Sequence, residues 1–199
     1  MNQIDLRMST ERQKEIVDAA LELISKNGIQ GFTIKNLAKK IGITEPAIYR
    51  HFDNKIHILI TILEFFKNNA EQIFSSELNN NNKAIDKINH LFTKYFVSFF
   101  AKPSLVSVIF SEEIFKSEPM LSDKIAELIA RNDKILTQII TSGQQNGELR
   151  TDIEAKHLSI VVMGTLRLFV KKWQFSNYSF NLPEEGKKLF NTIKLLIQK

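Results

Sequence analysis

Between Thr33 and Lys55 the sequence reads TIKNLAKKIGITEPAIYRHFDNK. Five basic residues (Lys35, Lys39, Lys40, Arg50 and Lys55) stand there against two acids, Glu45 and Asp53, and Tyr49, Arg50, His51 and Phe52 are consecutive. A protein core has no use for so many cations, and a plain solvated face has no use for the aromatics. The set suits double-stranded DNA. The hydroxyls of Thr44 and Tyr49 can donate to phosphate oxygens, His51 and Lys55 can hold the backbone, and Thr33 and Lys35 begin a helix whose N-terminus can point at a phosphate. Ala47 is small enough to let a helix approach the groove and touch a thymine methyl. Arg50 has two readings, a direct DNA contact or a partner for nearby acids. Glu45 also has two: an acceptor for a cytosine amino group, or a carboxylate suited to the positive end of a helix.

Other chemistries find little support. The sequence has no HExxH, P-loop, glycine-rich nucleotide turn or nucleophile elbow. Its histidines are His51, His57, His90 and His157, and the nearest two lack the four-residue spacing of a helical metal pair. Cysteine is absent, which removes disulfides and thiolate zinc sites. We therefore expect no catalytic residues, no metal and no cofactor.

The chain has 199 residues, a formal charge of +5 and a pI near 9.3, a balance that permits a polyanionic partner. With 43% hydrophobic residues, 15 Phe, 7 Gly and 4 Pro, it can bury a large core and has few breaks, which favours helices. The polar N-terminus MNQIDLRMSTERQ lacks a signal-peptide profile. The most apolar window, LSIVVMGTLRLFV, is too short to span a membrane and contains Arg167. A cytoplasmic location without membrane attachment is the expectation.

The elements that must position the basic segment are legible. TERQ has a capping-box shape, with Thr10 as cap, and Ile16, Ala20, Leu23 and Ile24 form one apolar face. Gly28 is the expected stop. Thr33 caps a second helix to Ile41, ended by Gly42. Thr44 caps a third, with Pro46 in its first turn. Two short helices joined by a glycine turn form a helix-turn-helix, with Ile48 and Phe52 facing inward. Longer helices follow: Lys55 to Leu78, Ala84 to Ala101, Pro103 to Phe115, Pro119 to Gln145, Glu154 to Phe175 and Pro183 to Gln198. The fold class is all-α, about nine helices, with a three-helix DNA-binding head over residues 1–54 and a helical body over residues 55–199.

The segment AALELISKNGIQGFTIKNLAKKIGITEPAIYRHFDNKIHIL, Ala19 to Leu59, resembles the TetR family of bacterial transcriptional regulators. It carries the family's apolar first helix, the glycine, the threonine, LA..IG and YRHF..K. The resemblance implies a homodimer that binds a palindromic operator and a small-molecule effector enclosed by the body. It places operator contacts at Thr33, Lys35, Thr44, Glu45, Ala47, Tyr49, His51 and Lys55. Glu45 and Pro46 depart from the small or polar residues of many members, which bears on the base sequence read.

In the body the same resemblance directs attention to aromatic middle helices. Phe66, Phe96, Phe99 and Phe110 are candidate walls of an effector site, and His90, Tyr95, His157 and Arg167 are candidate polar anchors. That composition suits an apolar effector, such as an acyl compound or a hydrophobic drug. Ordinary core packing is the plainer reading of such a stripe. The last two helices are expected to pair with a second copy through Ile160, Met163, Gly164, Leu168, Leu189, Ile193 and Leu196. The function expected is a ligand-responsive repressor. The alternative is a helical ligand-binding protein whose head binds no specific DNA.

Overall fold

The computed structural model describes residues 10–111 and 118–199. Among the described residues there are nine helices and no strand: α1 (Glu11–Gly31), α2 (Ile34–Ile41), α3 (Glu45–Tyr49), α4 (Lys55–Leu78), α5 (Ala84–Ala101), α6 (Ser104–Ile109), α7 (Pro119–Gln145), α8 (Ala155–Phe175) and α9 (Leu182–Ile197). The all-α expectation holds. The sixth helix stops at Ile109, short of the expected Phe115, which itself lies outside the described residues.

Caps explain several boundaries. Thr10 and Thr33 accept from the backbone N–H groups of Gln13 and Asn36 at 3.2 and 3.1 Å, satisfying donors that a helix start leaves open. Gly28 (φ 68°, ψ −179°) interrupts α1 as expected but does not end it. One more turn forms, and the Phe32 N–H donates to the Ile29 carbonyl at 3.2 Å.

The contacts of the chain fall into two compact units. The first takes the described residues up to Asn68 together with those of Ser104–Ile125. It thus contains the three-helix head, the start of α4, and α6. Ile16, Ala20, Leu37, Ile48, Phe52, Ile58, Val106 and Ile109 are buried in it, and α6 packs against α1.

The second unit holds Asn69–Pro103 and Ala126–Lys199. There α9 packs against α5 and α8. The contact is aromatic: Phe92 meets Phe96 at 5.6 Å and Phe190 at 5.5 Å, and Phe96 meets Phe169 at 5.6 Å between ring centroids. Gly186 makes this approach possible. A Cβ there would sit 2.2 Å from a carbon of the Phe96 ring. At the chain end, Arg150 ties the α7–α8 turn to α9. Its backbone N–H donates to the Ile197 carbonyl at 3.0 Å, and its guanidinium to the Leu196 carbonyl at 3.1 Å.

Glu77 clasps the end of α4 to α5. It is nearly fully buried, and it accepts from Asn80 at 2.8 Å and Lys94 at 3.1 Å, with His90 Nδ1 at 3.3 Å. Burial alone would raise its carboxyl, but those hydrogen bonds and the Lys94 charge hold it below the ordinary value.

Two outcomes follow from this packing. Gly186→Ala should destabilise the protein by about 1–3 kcal/mol, because the Phe96 ring must shift; denaturant melts would register it as a lower midpoint. Glu77 has a depressed folded-state pKa, so its contribution is present above the ordinary glutamate range and is lost as pH falls through the depressed value. Glu77→Gln should therefore lower the melting temperature near neutrality, and the gap to wild type should close with acidification below pH ~4.

Candidate nucleic-acid interface and effector region

The turn between α2 and α3 is built on Gly42 (φ 68°, ψ 31°). Its left-handed backbone is one that glycine adopts without a Cβ penalty. The Ile43 N–H then reaches back to the Ala38 carbonyl at 3.1 Å, which closes the end of α2. The chain reverses within two residues and α3 begins. Ile48 (0% exposed) and Phe52 (2%) anchor α3 and the turn after it in the head's core.

That anchoring decides which residues face outward. Thr44, Glu45, Tyr49 and Arg50 are exposed, and Ala47 and His51 are half-buried. Tyr49 is an aromatic half in water, at 50% exposure. Thr44 sits at the cap position, yet its side chain makes no capping hydrogen bond. Its hydroxyl is not spent on the helix, contrary to the capping role expected of it. Thr33 uses its oxygen as an acceptor for the α2 cap and still carries a hydroxyl proton to donate. Lys35 is exposed beside it.

The first turn of α4 completes the surface. The Asn54 side chain accepts from the His57 N–H at 2.8 Å, capping that helix. Lys55 is half-buried, with its Nζ 5.9 Å from the centroid of the Phe32 ring, a cation–π contact that limits where the ammonium can go. Arg50 pairs with no carboxylate among the described residues, so the reading as an internal ion-pair partner does not hold. Lys40 is the cation that is taken up. It lies 2.7 Å from Glu22 and lines, with Glu11, Glu15 and Asp18, an acidic groove of about 430 Å³ along α1. All nine residues expected to contact DNA lie in the first unit.

The expected effector residues are not gathered in one place. Phe66 and Phe110 belong to the first unit; His90, Tyr95, Phe96, Phe99, His157 and Arg167 belong to the second. Two of the anchors fall away. His157 is exposed, and His90 is half-exposed beside Glu77 in the α4–α5 clasp, so neither lies in the apolar interior. The other two stay together. Tyr95 is buried against Phe74 at 6.0 Å and Phe99 at 5.7 Å. Burial pushes its phenol well above the ordinary range, and the nearby Arg167 charge only partly offsets this. Arg167 is half-buried, and desolvation lowers its guanidinium somewhat.

The sequence reading missed Asn132. It is 2% exposed, and its Nδ2 lies 3.4 Å from the Tyr95 hydroxyl. The signal was present: Leu128, Asn132 and Leu136 share one face of α7 at four-residue spacing, and only the middle one is polar.

On α8 and α9 the expected pairing residues divide by exposure. Ile160 (63%), Leu168 (71%) and Leu196 (51%) are exposed. Gly164 faces open space, and Met163 and Leu189 are half-buried. Ile193 is buried in the chain's own core, where it cannot meet a partner. Val161, Phe175 and Leu195 are exposed apolar residues of the same two helices that the sequence reading did not name. Among the described residues no helix is long and apolar enough to cross a membrane, and no group of three or more potential metal ligands occurs.

Comparison with known proteins places this architecture. Residues 16–62 match the family model for bacterial regulatory proteins of the tetR family, and residues 65–198 match that for the C-terminal region of YsiA-like proteins. The fatty acid metabolism regulator protein of Bacillus subtilis is 25% identical over 89% of this chain and 91% of its own length. The fold is shared with the B. subtilis regulator FadR solved in complex with stearoyl-CoA (TM-score 0.73, 24% identity, 90% of this chain and 96% of that one). It is also shared with the ketosteroid transcriptional regulator KstR2 of Mycobacterium tuberculosis (TM-score 0.85, 17% identity, 99% of this chain and 100% of that one). With its helix-turn-helix exposed and both parts of its length matched, this chain belongs to the TetR family and is a DNA-binding transcriptional regulator.

Proposed function

We propose that the protein is a repressor that binds a palindromic operator as a homodimer and is released by a small apolar effector. The observation that carries the DNA reading is the exposed face of α3 and its surroundings. Hydroxyls, cations and one small side chain are presented outward while Ile48 and Phe52 hold the helix from behind. Thr33, Lys35, Thr44, Tyr49, Arg50, His51 and Lys55 hold the backbone; Ala47 and Glu45 face the bases. The protein works where the chromosome is, in the cytoplasm.

The dimer reading rests on the exposed apolar residues of α8 and α9. Ile160, Gly164 and Leu168 recur every four residues on one face, and covering such a stripe with its own copy removes it from water. The effector reading rests on the aromatic interior of the second unit and on relatives described as a fatty acid metabolism regulator and as a complex with stearoyl-CoA. An acyl compound is therefore the class we assign. It acts by binding better to a conformation whose heads do not fit the operator, which lowers operator affinity by linkage.

Selection from a random DNA pool tests this. Enrichment of a palindrome with half-sites about one turn apart, ~34–36 Å, is expected; an enriched site without two-fold symmetry would remove the dimer. On the selected site, log K should fall with log salt by about 0.9 per neutralised phosphate. Tyr49→Phe with Lys55→Ala should weaken binding to all sequences at a stability cost of about 0.5–1 kcal/mol, that of losing the Lys55 contact over the Phe32 ring. Phe52→Ala should instead cost about 3–5 kcal/mol of stability. Unchanged affinity in the Tyr49/Lys55 variant would contradict the assigned interface.

A further inference from the structure

Glu45 is the first residue of α3, and the N-terminal end of a recognition helix is the end that meets base edges. Its side chain is exposed, and among the described residues no cation pairs with it. A carboxylate there is repelled by the phosphates that line the groove. The helix itself does little to offset this. An acid at a helix start gains from backbone N–H groups left open. Here Pro46 has no N–H to offer. The N–H groups of Ala47 and Ile48 both donate to the Thr44 carbonyl, at 3.0 and 3.4 Å. With five residues, α3 also sums few peptide dipoles. The start of α3 thus gives this carboxylate little to bond.

The chemistry of the group says what else could hold it. An ionised carboxylate only accepts hydrogen bonds. In the major groove guanine and thymine present acceptors, so they offer it nothing. Adenine presents an amino group, but with the N7 acceptor beside it, which repels a carboxylate. Cytosine presents its amino group with no acceptor of its own.

We propose that Glu45 sets the base preference of this regulator, by accepting a hydrogen bond from the amino group of one cytosine in each half-site. This rests on the operator-binding reading above and names the base that α3 selects. The repulsion has a use in this arrangement. Over any other base the carboxylate is unpaired among phosphates, so Glu45 rejects wrong sequences as well as bonding the right one.

The experiment repeats the random-pool selection with Glu45→Gln and Glu45→Ala. Affinities for the wild-type site and for an unrelated duplex are measured at one salt concentration, with melting temperatures of the DNA-free proteins. Wild type should enrich one G·C pair per half-site that becomes A·T in Glu45→Gln, because an amide bonds adenine N6 and N7 together. In Glu45→Ala that position should become indifferent, while the others keep their preference. On the wild-type site Glu45→Ala should bind about 10-fold more weakly. On the unrelated duplex it should bind at least as tightly as wild type, since a repelling charge is gone. The three melting temperatures should agree.

Other results overturn the inference. Glu45→Ala binding every duplex more tightly by the same factor would make the carboxylate a plain surface charge. Unchanged base preferences with lower melting temperatures in both variants would return Glu45 to the helix start. Unchanged preferences with unchanged melting would remove it from both roles and leave the operator standing. Failure of the wild type to enrich any sequence would bring down the operator reading itself, and this inference with it.

Discussion

A helix of five residues cannot hold itself together in water. Its hydrogen bonds are too few to offset the cost of fixing the backbone. Yet α3 (Glu45–Tyr49) is the element whose outer face is proposed to meet DNA. What fixes it is burial of Ile48 and Phe52 in the head, each worth about 1.5–3 kcal/mol of transfer from water, together with the left-handed turn at Gly42 that sets where the chain re-enters. The recognition surface is a consequence of that anchoring. Tyr49 and Arg50 face outward because Ile48 and Phe52 do not.

The same division of labour extends to the neighbours of α3. Thr33 caps α2 and keeps a hydroxyl proton for the partner. Lys55 begins α4, where its ammonium lies over the ring of Phe32. The contact that holds Thr33 leaves its polar end available, while the Phe32 ring restrains the Lys55 ammonium. This is how an interface is organised before DNA arrives, and it reduces the side-chain freedom lost on binding.

The second unit obeys a different constraint. Its interior is aromatic and close-packed, to the point that Gly186 has no room for a methyl group against Phe96. Against that background Asn132 is conspicuous, because a buried amide with one unmatched end works against stability. The exposed apolar residues of α8 and α9 make a parallel case on the surface. They are unfavourable for an isolated chain and favourable for a paired one.

Most of the fold was legible in the sequence, because helix caps, glycine stops and apolar periodicity are local properties. Thr10, Thr33 and Gly42 mark their boundaries within a few residues, and the basic segment proposed to meet DNA is contiguous, so its composition alone marked it out. What the sequence could not decide was which side chains face one another across helices. His90 and His157 looked like pocket anchors until packing placed both at the surface. Ile193 looked like a pairing residue until it proved to be core. Asn132 passed unnoticed because burial is a property of neighbours distant in sequence. The sequence by itself determined the helices and the basic segment proposed to read DNA, since both are written in short-range patterns. Only the tertiary structure decided which polar groups are buried and which apolar ones are left outside, since that depends on contacts between residues far apart along the chain.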